Sequence, residues 1–346
     1  MFNPRKILII RFSALGDLVL TTPVFREIKR VYPDADVTLL TSSGFGSVLD
    51  NNPHIDNFIM HNRNESFSEL NSLIKQLRKE KYDLIYDAHR SLRSIWVALN
   101  LSGFSLFQTP KVWSINKRSW RRALLLSFKL NLLRNTVPQR VHLLEPLQQN
   151  TTLELQNQTE LFPDQRVVTQ IQNYLKKNKL QSKKFVAVSP SASYGLKCWP
   201  LDYFEILISN VLEQGLSIVL VGGPDESETS QLEENFAGKI INAAAKFSPL
   251  ESAELLRHAR IVVTNDSAVS HLAEAMRTPA VVLFGATVKE FGYAPFLEGS
   301  KMLETKERLR CRPCSKDGRG HCRNPDVLRC LKAISPERVF TTLAEK

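Results

Sequence analysis

The stretch "VTNDSAVSHLAEAMRTPAVVLFGAT", residues 263 to 287, decides the reading of the fold. It reads as a buried strand, a tight polar turn, a helix and a second strand. The turn collects Asn265, Asp266 and Ser267, with His271 one helical turn later. Capping the helix needs only one of these residues. Parallel α/β sheets bind ligands at the carboxyl ends of their strands, which is where this turn falls.

The same alternation repeats on both sides. "FVAVSP" (185–190), "SIVLVG" (217–222), "IVVTN" (261–265) and "AVVLFG" (280–285) read as strands. Helices are expected over 201–213, 227–236, 249–258 and 267–276. Nearer the N-terminus, "KILII" (6–10) is a continuous apolar run, as a strand covered on both faces should be. "DVTLL" (36–40), "NFIM" (57–60) and "DLIYDA" (83–88) follow, with helical segments over 18–31, 66–80 and 91–100. Strand–helix alternation argues for parallel sheets with helices on both faces. A run rich in Gln, Asn and Thr between residues 145 and 170 reads as a crossing between two Rossmann-like halves.

The chain has 346 residues, enough for two domains, and a soluble-protein balance of 43% hydrophobic and 23% charged residues. No apolar run reaches membrane-spanning length. The first residues read as a strand rather than a signal peptide, so a cytoplasmic protein is expected. The formal net charge of +11 favours an anionic partner. Basic residues interleave with Leu, Trp and Phe in "NKRSWRRALLLSFKLNLLRN" (116–135). That segment reads either as a membrane-facing amphipathic element or as an ordinary helix with a solvated face.

The conspicuous polar clusters all fall at strand ends. "SPSASYGLKCWP" (189–200) offers small residues whose backbone N–H groups can approach phosphate oxygens, with Lys197 as a point charge. A plain loop with a surface lysine is the competing reading. In "GGPDESE" (222–228), Glu226 or Asp225 could accept from ribose hydroxyls, or Asp225 could cap the following helix. Ser267 and His271 share one helix face at an anion-binding helix start. "RFSALGD" (11–17) lacks the dinucleotide spacing GxGxxG, which disfavours an NAD enzyme. Its Asp17 is either a helix cap or a general base facing an acceptor hydroxyl.

Taken in order, "ILIIRFSALGDLVLTTPVFREIKRVYPDADVTLLT", "YDLIYDAHRSLRS", "SPSASYGLKCWP", "VLVGGPDE", "VVTNDSAVSHLAEAMRTPAVVLFGAT" and "CLKAISPERV" resemble glycosyltransferase family 9, the lipopolysaccharide heptosyltransferases. The resemblance covers nearly the whole chain. It implies the GT-B fold: two facing Rossmann-like domains with a cleft, here 1–165 for the acceptor and 166–334 for the nucleotide sugar. A last helix, 335–346, would cross back to the first domain.

The resemblance further implies an inverting transfer of heptose from ADP-heptose to the inner core of lipopolysaccharide, with no metal required. Asp17 falls on the family's base, and Ser13 on the hydroxyl residue near it. Lys197, Ser191, Ala192, Ser267 and Ala268 would hold the leaving diphosphate. Asp266 and His271 would contact the donor, and Glu226 its ribose. Arg90 and Arg93 would meet an anionic lipid A–core acceptor, and His142 with Glu145 lies on the acceptor side. The setting implied is the cytoplasmic surface of the inner membrane, bound peripherally and without nucleic acid.

Two departures stand out: Asp-Ser-Gly reads Asp-Ser-Ala at Ala268, and Gly-Pro-Thr reads "GAT" at 285–287. The acceptor loops match no one subfamily closely. A family relative moving another sugar, or acting on a protein or another polysaccharide, is therefore an alternative. A non-catalytic nucleotide-binding or nucleic-acid-binding protein is a third reading, although no nucleic-acid module is recognised.

Four of the five cysteines sit late, as Cys311, Cys314, Cys322 and Cys330 in C-x2-C-x7-C-x7-C. Four thiolates could hold a structural Zn or Fe. The alternative is reduced cysteines packing a loop.

Overall fold

The computed structural model describes residues 2–62, 66–103, 109–133, 137–224 and 227–344. The chain divides into two compact units. Unit 1 comprises Met1–Lys117 and Gln139–Phe162, and unit 2 comprises Arg118–Pro138 and Pro163–Lys346.

Unit 1 is a five-stranded parallel sheet: β1 (Lys6–Arg11), β2 (Asp36–Ser42), β3 (Asn57–His61), β4 (Leu84–Asp87) and β5 (Lys111–Ser114). The order is β3-β2-β1-β4-β5, so the direction of winding reverses between β1 and β4. Ile7–Ile10 are fully buried, as their unbroken apolar run requires. The helices are α1 (Leu15–Val31), α2 (Phe67–Glu80) and α3 (Leu92–Ser102). Leu70, Ile74 and Leu77 of α2, spaced for one helix face, pack with Val97 and Ala98 of α3 and with Leu8, Ile10 and Ile85 of the sheet.

Helix α1 carries Pro23 in its interior. Proline has no N–H to give the Val19 carbonyl. The Thr22 hydroxyl donates to that carbonyl at 2.8 Å instead. The polar run before residue 162 also has a use. Arg26 donates to the carbonyls of Gln156 and Gln158, both at 3.0 Å, and the Thr22 hydroxyl accepts from the Glu160 N–H.

Unit 2 begins with α4 (Ser119–Phe128), contributed from within the first half of the sequence. The expected boundary had placed this segment in the first domain. Leu125 and Leu133 are buried with Val288 and Phe291, which attaches it to unit 2. Short helices α5 (Gln139–His142) and α6 (Glu145–Gln148) return to unit 1. The rest of unit 2 is a six-stranded parallel sheet with α7 (Gln165–Lys177), α8 (Leu201–Glu213), α9 (Ser227–Phe236), α10 (Pro249–Arg257) and α11 (Ala268–Ala275). Its strands are β6 (Phe185–Ser189), β7 (Ser217–Leu220), β8 (Ile241–Asn242), β9 (Ile261–Asn265), β10 (Ala280–Phe284) and β11 (Lys301–Glu304), ordered β11-β10-β9-β6-β7-β8. Winding reverses between β6 and β9.

The chain ends with α12 (Arg329–Lys332) and α13 (Pro336–Ala344). Crossing back to the first domain was expected of α13. Val339 and Leu343, one helical turn apart, join Phe204 of α8 in the core of unit 2. The Trp199 indole N–H fixes the approach by donating to the Ile334 carbonyl at 2.9 Å.

Candidate active site

The point where the winding of a parallel sheet reverses leaves a crevice at the strand ends. Each unit carries its polar constellation at that point. In unit 1 the residues after β1 and β4 meet there. Arg11 ends β1, and its guanidinium lies 2.7 Å from the Asp17 carboxylate in the first turn of α1. The same guanidinium donates to the Ala88 carbonyl just after β4. The Ala14 N–H donates to the Asp17 carboxylate at 3.3 Å. Burial by itself would raise the Asp17 pKa. The charge of Arg11 and the Ala14 N–H outweigh it and hold the carboxyl below its ordinary range, with His89 adding in the same sense. Asp17 is thus an anion at neutral pH and partly accessible, able to accept a proton while also capping its helix. Ser13 lies four residues earlier on the same turn, half-buried.

The loop after β4 is held by Asp87. Its carboxylate accepts from the N–H groups of His89 (3.0 Å) and Arg90 (2.6 Å) and from the Ser94 hydroxyl (3.0 Å). Burial nevertheless pushes the Asp87 carboxyl above its ordinary range. Arg90 is exposed and donates to the Ile115 carbonyl at 2.8 Å. Arg93 lies over the Phe67 ring at 5.9 Å. His142 is buried and lies 2.9 Å from Glu145.

In unit 2 the residues after β6 and β9 meet. The Lys197 ammonium lies 2.8 Å from the Asp266 carboxylate and donates to the Asp266 carbonyl at 3.1 Å. The Thr287 hydroxyl donates to the same carboxylate at 2.7 Å. Asn265 is fully buried and clips the two loops together: its amide donates to the Pro190 carbonyl at 2.6 Å and accepts from the Trp199 N–H at 3.0 Å. Ser267 caps α11, accepting from the Val269 N–H at 3.3 Å. So the three polar residues of the turn have three tasks: Asn265 a clip, Asp266 a counter-charge to Lys197, and Ser267 a cap. Ala192 and Ala268 are half-buried on the same two loops, and His271 is buried with its ring 6.2 Å from that of Tyr293.

Ser191 donates to Glu228 at 3.0 Å. Glu226, expected on ribose, lies outside the described residues. Sequence reasoning did not single out Arg11, Asn265 as a clip, Thr287, Glu228 or Gly318. An arginine closing an apolar strand is the signal that could have found Arg11. Gly318 packs directly on Lys197: a Cβ there would lie 2.8 Å from the lysine Cγ.

The four late cysteines were open to two readings, a structural metal site or reduced thiols packing a loop. None of the five cysteines is joined in a disulfide. Among the described residues, no group of three or more His, Cys, Asp or Glu is arranged to hold a metal ion. Cys330 belongs to the apolar core of unit 2 with Leu331 and Ile334. Burial, then the neighbouring Cys314, pushes its thiol up to about 11. Such an environment favours the neutral thiol over the thiolate that a metal needs. Among the described residues no helix is long and apolar enough to cross a membrane.

Comparison with known proteins places this architecture. Over 99% of this chain and 98% of the other, it superposes on a family 9 glycosyl transferase from Veillonella parvula with a TM-score of 0.79 at 20% identity. Escherichia coli ADP-heptose lps heptosyltransferase II superposes with a TM-score of 0.75 at 20% identity, covering 98% of each chain. These likenesses give the GT-B fold. In sequence, the lipopolysaccharide heptosyltransferase 3 of Escherichia coli is 28% identical over 79% of this chain and 81% of its own length. The family description "Glycosyltransferase family 9 (heptosyltransferase)" matches residues 70–319. The chain belongs to glycosyltransferase family 9 and is a glycosyltransferase.

Proposed function

We propose that this enzyme moves heptose from ADP-heptose to a sugar of the lipopolysaccharide inner core, with inversion at the anomeric carbon and without a catalytic metal. The supporting observation is the pair of constellations at the two points of sheet reversal: an ionised carboxylate in unit 1, and a lysine beside a helix start in unit 2. The names of the relatives support heptose, ADP and lipopolysaccharide as the chemistry.

In this reading Asp17 accepts the proton of the acceptor hydroxyl as its oxygen bonds to the anomeric carbon. A positioned general base contributes about 10²–10⁴ in rate. The bond to the diphosphate oxygen breaks, and the new negative charge is met by Lys197, Ser191 and the backbone at Ser267 and Ala268. Asp266 and His271 orient the donor, with Glu226 on its ribose. Ser13, Arg90, Arg93 and His142 serve the acceptor, the two arginines facing its phosphates or acidic sugars. Work at the cytoplasmic face of the inner membrane, bound peripherally, follows from such an acceptor.

The test is direct transfer. Purified enzyme is mixed with ADP-heptose and a panel of truncated lipid A–core acceptors, and products are read by mass spectrometry. Addition of one heptose to one acceptor is expected. ADP-heptose binding without a product on any acceptor would overturn the assignment of the acceptor. Absence of both would overturn the donor as well.

A further inference from the structure

Helix α3 is apolar on two opposite faces. Val97 and Ala98 point into the core of unit 1. Leu92, Ile95, Trp96 and Leu99 follow the i, i+3, i+4, i+7 spacing on the other face and are 84%, 36%, 43% and 59% exposed. A helix facing water ordinarily carries polar residues there. Phe67, at the start of the adjacent α2, is 57% exposed and extends the surface.

The two helices are tied side by side. The Trp96 indole N–H donates to Asn71 at 2.8 Å, and Arg78 donates to the Asn100 carbonyl at 2.9 Å. Those ties place Phe67, Asn71, Lys75 and Arg78 of α2 along the apolar stripe of α3. Arg93 stands over Phe67 at its head. Lys75, Arg78 and Lys79 are exposed. The two carboxylates of α2 have partners: Glu69 accepts from the Ser66 N–H, and Glu80 pairs with Lys6. The result is an exposed apolar ridge, with a tryptophan on it and cations beside it.

We propose that this ridge docks unit 1 onto an anionic lipid surface. Leu92, Ile95, Trp96, Leu99 and Phe67 enter the interfacial layer, while Lys75, Lys79, Arg78 and Arg93 meet the headgroup charge. The proposal deepens the reading of a lipid-anchored acceptor and rests on it for its biological use. Helix α3 starts on the loop that Asp87 holds beside Asp17, so docking here delivers lipid-borne sugars to the strand end carrying the base.

The segment around α4 also exposes apolar side chains, Trp120 and Phe128 among them. Two of its cations are engaged by backbone carbonyls, while Arg121 is exposed over the Trp120 ring. Arg122 donates to the Phe291 carbonyl, and the Lys129 ammonium to the carbonyls of Leu126, Cys311 and Pro313. On α2 and α3, by contrast, Lys75 and Lys79 stand exposed near an apolar stripe that runs along the helix.

The experiment is co-sedimentation of the full chain with vesicles of phosphatidylethanolamine and phosphatidylglycerol, against phosphatidylcholine vesicles. Wild type should bind the anionic vesicles, and binding should fall as salt rises. Leu92→Ser with Leu99→Ser should lower the partition coefficient at least about tenfold, since two exposed leucines lose their burial in lipid. Trp120→Ser with Phe128→Ser should leave it within about twofold. Wild-type partition of the leucine variant, or its loss in the Trp120/Phe128 variant, would overturn the proposal. So would a wild type that ignores vesicles and sediments as a dimer which the leucine substitutions dissociate.

Vesicle binding is read without substrates, so its failure is distinct from a failure of heptosyl transfer. A deacylated, soluble acceptor separates the two further. The leucine variant should glycosylate it at the wild-type rate while losing turnover on vesicle-borne acceptor.

Discussion

The Lys197 ammonium lies 2.8 Å from the Asp266 carboxylate, and both side chains are largely buried. In the proposed donor site the charge of Lys197 is therefore already partnered before phosphate arrives. Thr287 supplies a second partner to Asp266, so the carboxylate keeps a donor when Lys197 turns toward phosphate. Lys197→Ala should weaken ADP binding by about 10–100-fold, the worth of a hydrogen bond to a charged group. It should also destabilise the fold by about 1–3 kcal/mol, because the buried carboxylate loses its counter-charge and keeps only the Thr287 hydroxyl. Calorimetry and thermal melting read the two effects separately. A melting shift with unchanged ADP affinity would make Lys197 a purely structural partner.

Gly318 reaches the same lysine from the far end of the sequence. It has φ +95°, a left-handed conformation that an L side chain adopts only with strain, and its missing Cβ leaves room for the lysine stem. Gly318→Ala should cost about 1 kcal/mol or more of stability. It should also displace Lys197 Cγ and weaken ADP binding several-fold. An alanine variant with wild-type ADP affinity would show that the lysine stem has freedom to move aside.

From a fully buried position the Asn265 side chain donates to the Pro190 carbonyl and, at 3.5 Å, to the Ser191 carbonyl, and accepts from the Trp199 N–H. Asn265→Ala leaves the Pro190 carbonyl and the Trp199 N–H unpaired, at about 1–3 kcal/mol each. Urea unfolding should register a loss of about 2–6 kcal/mol on that arithmetic. Asn265→Asp should be no better, since a carboxylate cannot donate to Pro190. Denaturation midpoints near wild type for both variants would remove the clip.

How much of this was legible in advance depends on periodicity. Runs such as Lys6–Ile10 and Ile261–Asn265 announce buried parallel strands because both faces are apolar. Strand β5 and the two-residue β8 lie at sheet edges, where short and partly exposed strands carry no such run. The turn after β9 was legible as a polar loop at a strand end, but the division of labour among Asn265, Asp266 and Ser267 was not. That division depends on Pro190, Trp199, Lys197 and Thr287, which are distant in sequence. The packing partner of helix α13 was hidden for a related reason. Val339 and Leu343 form an apolar stripe that fits either unit, and only the surface offered by α8 decides. The cysteine spacing suggested a metal site, whereas Cys330 packs as a small apolar side chain.

The last prediction concerns Asp17 and the pH dependence that Arg11 imposes. Asp17→Asn should lower kcat by about 10²–10⁴, the worth of a general base, and leave ADP affinity unchanged. In the folded chain the carboxyl is held below its ordinary pKa. Burial opposes this, but the Arg11 charge and the Ala14 N–H prevail. A depressed folded pKa means that the group stabilises the fold above its unfolded pKa, and that this stability is lost as pH falls through the folded value. The acidic limb of kcat/KM should accordingly lie below the ordinary carboxylate range. Arg11→Gln removes the largest favourable contribution and leaves burial in place. The pKa must then rise, so the acidic limb should move to higher pH while the plateau rate at alkaline pH is largely retained. Substrate ionisation is common to both enzymes, so it cancels in the comparison. A limb that stays in place in the Arg11→Gln enzyme would mean that another group sets the profile and that Asp17 is a helix cap.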